Sequence, residues 1–65
     1  MRLDQFLKWQ GWVATGGEAK LRIQAGEVWV NDAVEERRGR QLQCGDRVRL
    51  GAESASVNDA LQPGP

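Results

Sequence analysis

The chain reads as an α+β domain, with two short N-terminal helices packed on a small antiparallel sheet of three to five short strands. Two observations predict it. Apolar residues recur at helical spacing through the first 25 positions. From Gly26 onward the period falls to two, with turn-forming residues between the alternating runs. A third bounds it: 65 residues make one domain at most, and a chain of that size buries only about 60% of its unfolded surface. Its core is therefore thin, and a functional site has to lie on the surface.

The first helix runs from Leu3 to about Gln10, where Leu3, Phe6 and Leu7 line one face and Gly11 supplies a stop. Lys8 points away from that stripe, one turn beyond Asp4. Trp12 and Val13 follow as apolar anchors of a short connection. Thr15-Gly16-Gly17-Glu18 is a capping box: the Thr hydroxyl accepts from an orphan backbone N–H, and Glu18 reaches back to the Thr15 N–H. The second helix starts there and runs to about Ala25, with Gly26 as its left-handed stop. Ala19 and Ile23 form one apolar patch on it, Leu21 and Ala25 another nearly opposite, so the helix is expected to be flanked on two sides. Lys20 and Gln24 stay exposed between the patches, with Arg22 on the other flank.

Val28 and Val30 alternate with Glu27 and Trp29 as a half-buried strand. Asn31-Asp32 suits a tight hairpin turn, and Ala33 to Glu36 returns as a second strand. This register puts Trp29 and Val34 on one face and Val28 and Val30 on the other, and leaves open which pair faces the core. Arg37-Arg38-Gly39-Arg40 is a basic loop, Leu42 an apolar anchor after it, and Gly45-Asp46 a further turn. Val48 and Leu50 point inward while Arg47 and Arg49 point out. Ser54 to Val57 adds a short edge strand. Residues 1–57 are expected to form the domain, and 58–65, ending Pro63-Gly64-Pro65, a disordered tail.

Composition excludes several classes. No apolar run approaches the ~20 residues that cross a bilayer, and the N-terminus lacks a secretory apolar stretch, which points to the cytoplasm. One cysteine and no histidine rule out an internal disulfide and disfavour a metal site or cofactor; Cys44 reads as a buried or half-buried filler. An enzyme ranks low: no histidine is available as a base near neutral pH, and neither Cys44 nor a serine has a visible activating partner. A sulfur-carrier protein would need a C-terminal Gly-Gly carboxylate, whereas this chain ends Gly64-Pro65.

The formal net charge is zero, which alone argues against a nucleic-acid partner, but the charges are unevenly spread. All nine basic residues fall within positions 1–50, against seven acids there, and Arg37–Arg49 holds five arginines and one acid. A neutral chain can still present a positive patch, and a phosphate backbone meets the patch. Arg37, Arg38 and Arg40 offer planar forks of donors suited to phosphate oxygens. Their bland alternative is a solvated loop paired with Glu35 and Glu36. For Lys8 the alternative is a helical pair with Asp4, worth ~0.3–0.5 kcal/mol; Lys20 has no acid three or four positions away. Gly16 and Gly17 leave N–H groups uncovered at a helix start, a ready anion site, or serve only for close packing. Of three tryptophans, core filling is expected for at least two, and Trp29 is the best candidate to stack on a base. Arg47 and Arg49 either extend the patch or keep an edge strand soluble.

Taken in order, Leu3-Asp4-Gln5-Phe6-Leu7, Gly11, Thr15-Gly16-Gly17-Glu18-Ala19-Lys20, Ile23, Gly26-Glu27-Val28-Trp29-Val30-Asn31 and Gly45-Asp46-Arg47-Val48 resemble the RNA-binding domain of small-subunit ribosomal protein S-four. The likeness covers residues 2–50. The Thr-Gly-Gly-Glu-Ala-Lys and Arg-Arg-Gly-Arg runs resemble a stand-alone bacterial branch. The resemblance implies the αL motif, two helices followed by a small sheet, with the helix pair and hairpin loop framing an RNA-facing surface. Many members have Ser-Arg at the start of the second helix, and that Arg contacts RNA. Thr15-Gly16 stands there in this chain, so the contact does not carry over, and Lys20 is the nearest substitute.

These readings converge on a module for structured RNA, ribosomal or transfer RNA, in ribosome assembly or translation. It is expected to act as a monomer, without cofactor, membrane or small-molecule substrate, and with a ribosomal subunit or ribonucleoprotein as a candidate assembly. Lys8, Thr15, Lys20, Arg37, Arg38 and Arg40 are the first candidates; Gly16, Gly17, Trp29, Arg47 and Arg49 form a second tier. The competing reading is a protein-interaction module, motivated by the zero net charge and the Trp29/Val34 pair.

Overall fold

A computed structural model describes residues 1–57. The expected tail, 58–65, lies outside the described residues. Two helices, α1 (Leu3–Trp9) and α2 (Gly16–Gln24), precede four strands: β1 (Val28–Val30), β2 (Ala33–Val34), β3 (Arg47–Leu50) and β4 (Glu53–Ser56). The sheet is antiparallel throughout, in the order β2-β1-β3-β4. The α+β reading holds, with four strands within the expected three to five.

The apolar stripe of α1 drives the packing. Leu3, Phe6 and Leu7 are fully buried and join Ala19 and Ile23 of α2, Val28 and Val30 of β1, and Val48 and Leu50 of β3. Leu42, Val13 and Val57 close the core from the connections. Val28 and Val30 are thus the inward pair, which settles what alternation alone left open.

Local chemistry sets the ends of the elements. The Thr15 hydroxyl accepts from the Glu18 N–H at 3.1 Å, as a helix N-cap does. Glu18 reaches back one residue further than expected, to the Ala14 N–H at 3.0 Å. Gly26, at φ +79°, ends α2 in the left-handed region. Asn31 and Asp32 carry φ of +53° and +67°, the double left-handed step of a two-residue hairpin turn matching the sheet twist. Asn31 also binds outward: its amide donates to Asp46 Oδ1 at 3.0 Å and its Oδ1 accepts from the Arg47 N–H at 3.0 Å. Asp46 Oδ2 accepts from the Gln43 N–H at 2.8 Å. That backbone bond and the Asn31 amide hold the Asp46 carboxyl below its usual range.

Several expectations are corrected. Leu21 is 70% exposed and Ala25 is exposed, so α2 packs through Ala19 and Ile23 alone. The core is one layer deep, and among the described residues no element covers the far side of this helix. Cys44 is exposed in the turn before β3, not a filler. Only Trp12 contributes to the core, edge-on to Phe6 at 6.1 Å and 83°. Trp29 is half-buried and Trp9 is 52% exposed. Strand β2 covers Ala33–Val34 and not the expected Ala33 to Glu36; the Glu35 N–H still donates to the Val28 carbonyl at 2.9 Å, and the Glu35 side chain bonds the basic loop. Strand β3 is interior, so Arg47 and Arg49 do not guard an edge.

Candidate nucleic-acid interface

The basic loop is built onto the start of α1. The first N–H groups of a helix have no partner within it. Here the loop supplies two: the Leu3 N–H donates to the Arg40 carbonyl at 2.9 Å and the Asp4 N–H to the Arg38 carbonyl at 3.2 Å. The Leu42 N–H donates to the Met1 carbonyl at 2.9 Å, and Arg2 bridges Gln41. Residues 38–42 are thus stitched to residues 1–4, and the arginines ride on a fixed backbone.

Glu35 orders the side chains of that loop. Its carboxylate is 9% exposed and accepts from the Arg37 Nε at 3.1 Å and the Arg40 Nη1 at 2.7 Å. It also accepts from the Arg37 backbone N–H at 3.1 Å. The Arg37 guanidinium, with the Arg40 guanidinium beside it, holds the Glu35 carboxyl down at about 2. Burial works against this and is outweighed, because charge-assisted hydrogen bonds favour the ionised form. The bland reading of the loop is therefore half right: Arg37 and Arg40 do pair with an acid, and among the described residues it is Glu35 and not Glu36. Arg38 has no ion pair among the described residues and is exposed. Arg37 donates Nε at 3.1 Å and Nη2 at 3.5 Å to Glu35 while its side chain stays 77% exposed, which leaves Nη1 for a second anion. Arg37, Gly39, Arg40 and Gln41 line a concavity of about 560 Å³.

The other candidates lie as follows. Lys8 is exposed on α1, and the pair with Asp4 does not form: Asp4 is buried and bonded to Arg2 at 3.3 Å. Lys8 instead lines a concavity of about 360 Å³ with Met1, Gln5 and Trp9. Lys20 is exposed on α2 and in no ion pair among the described residues, whereas its neighbour Arg22 is held by Glu27 at 3.0 Å and Glu18 at 3.6 Å. Thr15, Gly16 and Gly17 are exposed at the start of α2, where Thr15 is occupied as the cap. A Cβ at Gly16 would meet nothing within 4 Å, so close packing does not explain that glycine. Trp29, Arg47 and Arg49 stand on the outer face of the sheet.

Two residues escaped the sequence reading. Glu35 looked like a competitor of the arginines and is their organiser; its place after a hairpin strand and two residues before Arg37 was the available signal. Trp9 sits off the Leu3-Phe6-Leu7 stripe, one turn from Gln5, and that wheel position already marked it as exposed.

Among the described residues no helix is long and apolar enough to cross a membrane. Curated proteins similar to the chain include the following two. One, from Bacillus subtilis (strain 168), is named "Probable ribosome maturation protein RlbA" and is 46% identical over 48 residues, covering 74% of this chain and 68% of that protein. The other, from Escherichia coli (strain K12), is named "Putative RNA-binding protein YbcJ" and is 35% identical over 57 residues, covering 88% of this chain and 81% of that protein. The model of the S4 domain matches residues 1–58, and with two helices leading into a four-stranded antiparallel sheet the chain belongs to the S4 domain family.

Proposed function

We propose that this chain is a non-enzymatic module that binds structured RNA through the edge where the 37–40 loop meets the start of α1. The observation that carries the reading is the backbone stitching of Arg38 and Arg40 to Asp4 and Leu3. It presents three arginines from a fixed frame, so little loop entropy is lost when phosphates bind. Within the loop Arg38 is in no ion pair among the described residues, Arg37 and Arg40 are pre-oriented by Glu35, and Lys8 and Lys20, exposed on the helices, add charge. Recognition of this kind reads phosphates and shape more than base edges. The names of the two relatives, one a ribosome maturation protein and one an RNA-binding protein, support the same class of partner. Of the two, the ribosome maturation name is the one that lends support to a ribosomal partner.

The test is a titration of purified ribosomal RNA fragments and transfer RNA at several salt concentrations. Affinity is expected to fall steeply with salt, since each neutralised phosphate releases counterions. The triple variant Arg37→Glu, Arg38→Glu, Arg40→Glu is expected to abolish binding, but it also strips Glu35 of both partners. Arg38→Glu, which leaves those pairs intact, is expected to weaken binding on its own with the fold unchanged by circular dichroism. A flat salt response, or full affinity in the triple variant, overturns the proposal.

A further inference from the structure

The outer face of the sheet carries a second constellation, on elements other than the 37–40 loop. Cross-strand register sets Val34, Trp29, Arg49 and Ser54 in one row across all four strands, with Arg47 and Ser56 paired in the next. The Arg49 guanidinium carbon lies 4.8 Å from the Trp29 ring centroid, over its face. Neither Arg47 nor Arg49 is in an ion pair among the described residues. Trp29, Asp32, Arg47, Val48, Arg49 and Ser54 line a concavity of about 200 Å³, and among the described residues its one carboxylate is Asp32.

These features ask for an occupant. Arg47 and Arg49 sit on an interior strand, so protection of a sheet edge does not account for them. A hydrophobic protein partner would meet two charges with no acid opposite them in the strands of this face. A guanidinium plane on an indole is instead a partly built stack, and both planes accept a nucleobase. Arg47 and Arg49 project from the same face two residues apart on β3, about 7 Å along the strand.

We propose that this face binds an unpaired segment of RNA, with a base joining the Trp29–Arg49 stack and Arg47 and Arg49 meeting adjacent phosphates. The inference rests on the RNA-binding reading above and deepens it: one domain then holds a structured element at the loop edge and a single strand on the sheet.

The probe is a fluorescein-labelled octamer of uridylate, unstructured and weakly stacked on its own, followed by anisotropy. Trp29→Ala is expected to weaken its binding about 5- to 150-fold, the range of base–aromatic stacking. Trp29→Phe should recover most of that loss. Arg49→Gln and Arg47→Gln should each weaken binding and flatten its salt dependence, with the indole intact should Trp29→Ala fail to fold. The loop variant Arg37→Gln, Arg38→Gln, Arg40→Gln should leave octamer affinity within about threefold while reducing binding of structured RNA. Octamer affinity unchanged in both Trp29→Ala and Arg49→Gln overturns the sheet site. If the octamer does not bind but structured RNA does, the sheet site falls and the loop reading stands; if neither RNA binds, both fall.

Discussion

Glu35 Oε1 lies 2.7 Å from Arg40 Nη1, and this contact makes a carboxylate the structural centre of a basic loop. The Glu35 carboxyl, held at about 2 against an ordinary 4.5, favours the fold in its charged form. Its contribution is therefore complete above about pH 5 and is lost as pH falls through the folded value near 2. The full shift corresponds to about 3 kcal/mol, an upper bound because solvent screens the pairs. Chemical denaturation from pH 7 down to pH 2 should show stability dropping across that acid window. In Glu35→Gln the drop should shrink and the pH 7 stability should already be lower. An acid profile identical in the variant and the wild type would remove Glu35 from this role.

Arg38 differs from Arg37 and Arg40 in having no carboxylate partner among the described residues. Binding a phosphate at Arg37 or Arg40 shares a guanidinium already engaged with Glu35. Arg38→Gln should therefore cost more affinity for structured RNA than Arg37→Gln does, and should reduce the slope of log affinity against log salt by about 1. Equal losses for the three single variants would mean that Glu35 releases its partners on binding.

Much of this arrangement was legible in the sequence, and the failures have physical causes. Strong local signals survived folding: the Thr15 cap, the Asn31-Asp32 turn, the Gly26 stop, and the inward and outward alternation around Val48 and Arg49. What failed needed knowledge of the layers. Leu21 has the hydrophobicity of a core residue, but the single core layer lies on the other side of α2. Cys44 is of a type often buried, and it is exposed in the turn before β3 among the described residues. The site was harder to read, because the loop depends on bonds between residues 38–42 and 1–4, a separation that no local pattern reports.

The one-layer core makes a sharp contrast between two apolar side chains. Phe6 is fully buried against Trp12 and the aliphatic cluster, and Phe6→Ala should cost about 3–5 kcal/mol. That is comparable to the whole stability of a domain this small, so the variant should be largely unfolded at 37 °C by circular dichroism. Leu21→Gln, at an exposed site on α2, should change stability by less than about 0.5 kcal/mol. A large loss there would show that something in solution covers that side of the helix.

Gly26 isolates a pure backbone effect. At φ +79° it joins α2 to β1, and a Cβ built on it would lie 3.8 Å from Val34 Cγ1, ordinary contact rather than a clash. The cost of Gly26→Ala is then that of holding an L-residue in the left-handed region, about 1–2 kcal/mol. Gly26→Asn should cost less, since Asn visits that region more readily. Urea unfolding should show the midpoint falling in the order glycine, asparagine, alanine, with the slope of free energy against urea unchanged. Because α2 and β1 lead to different faces of the molecule, a strained joint would also loosen one against the other. Any loss of affinity for structured RNA in Gly26→Ala should therefore be recovered in Gly26→Asn, in step with stability.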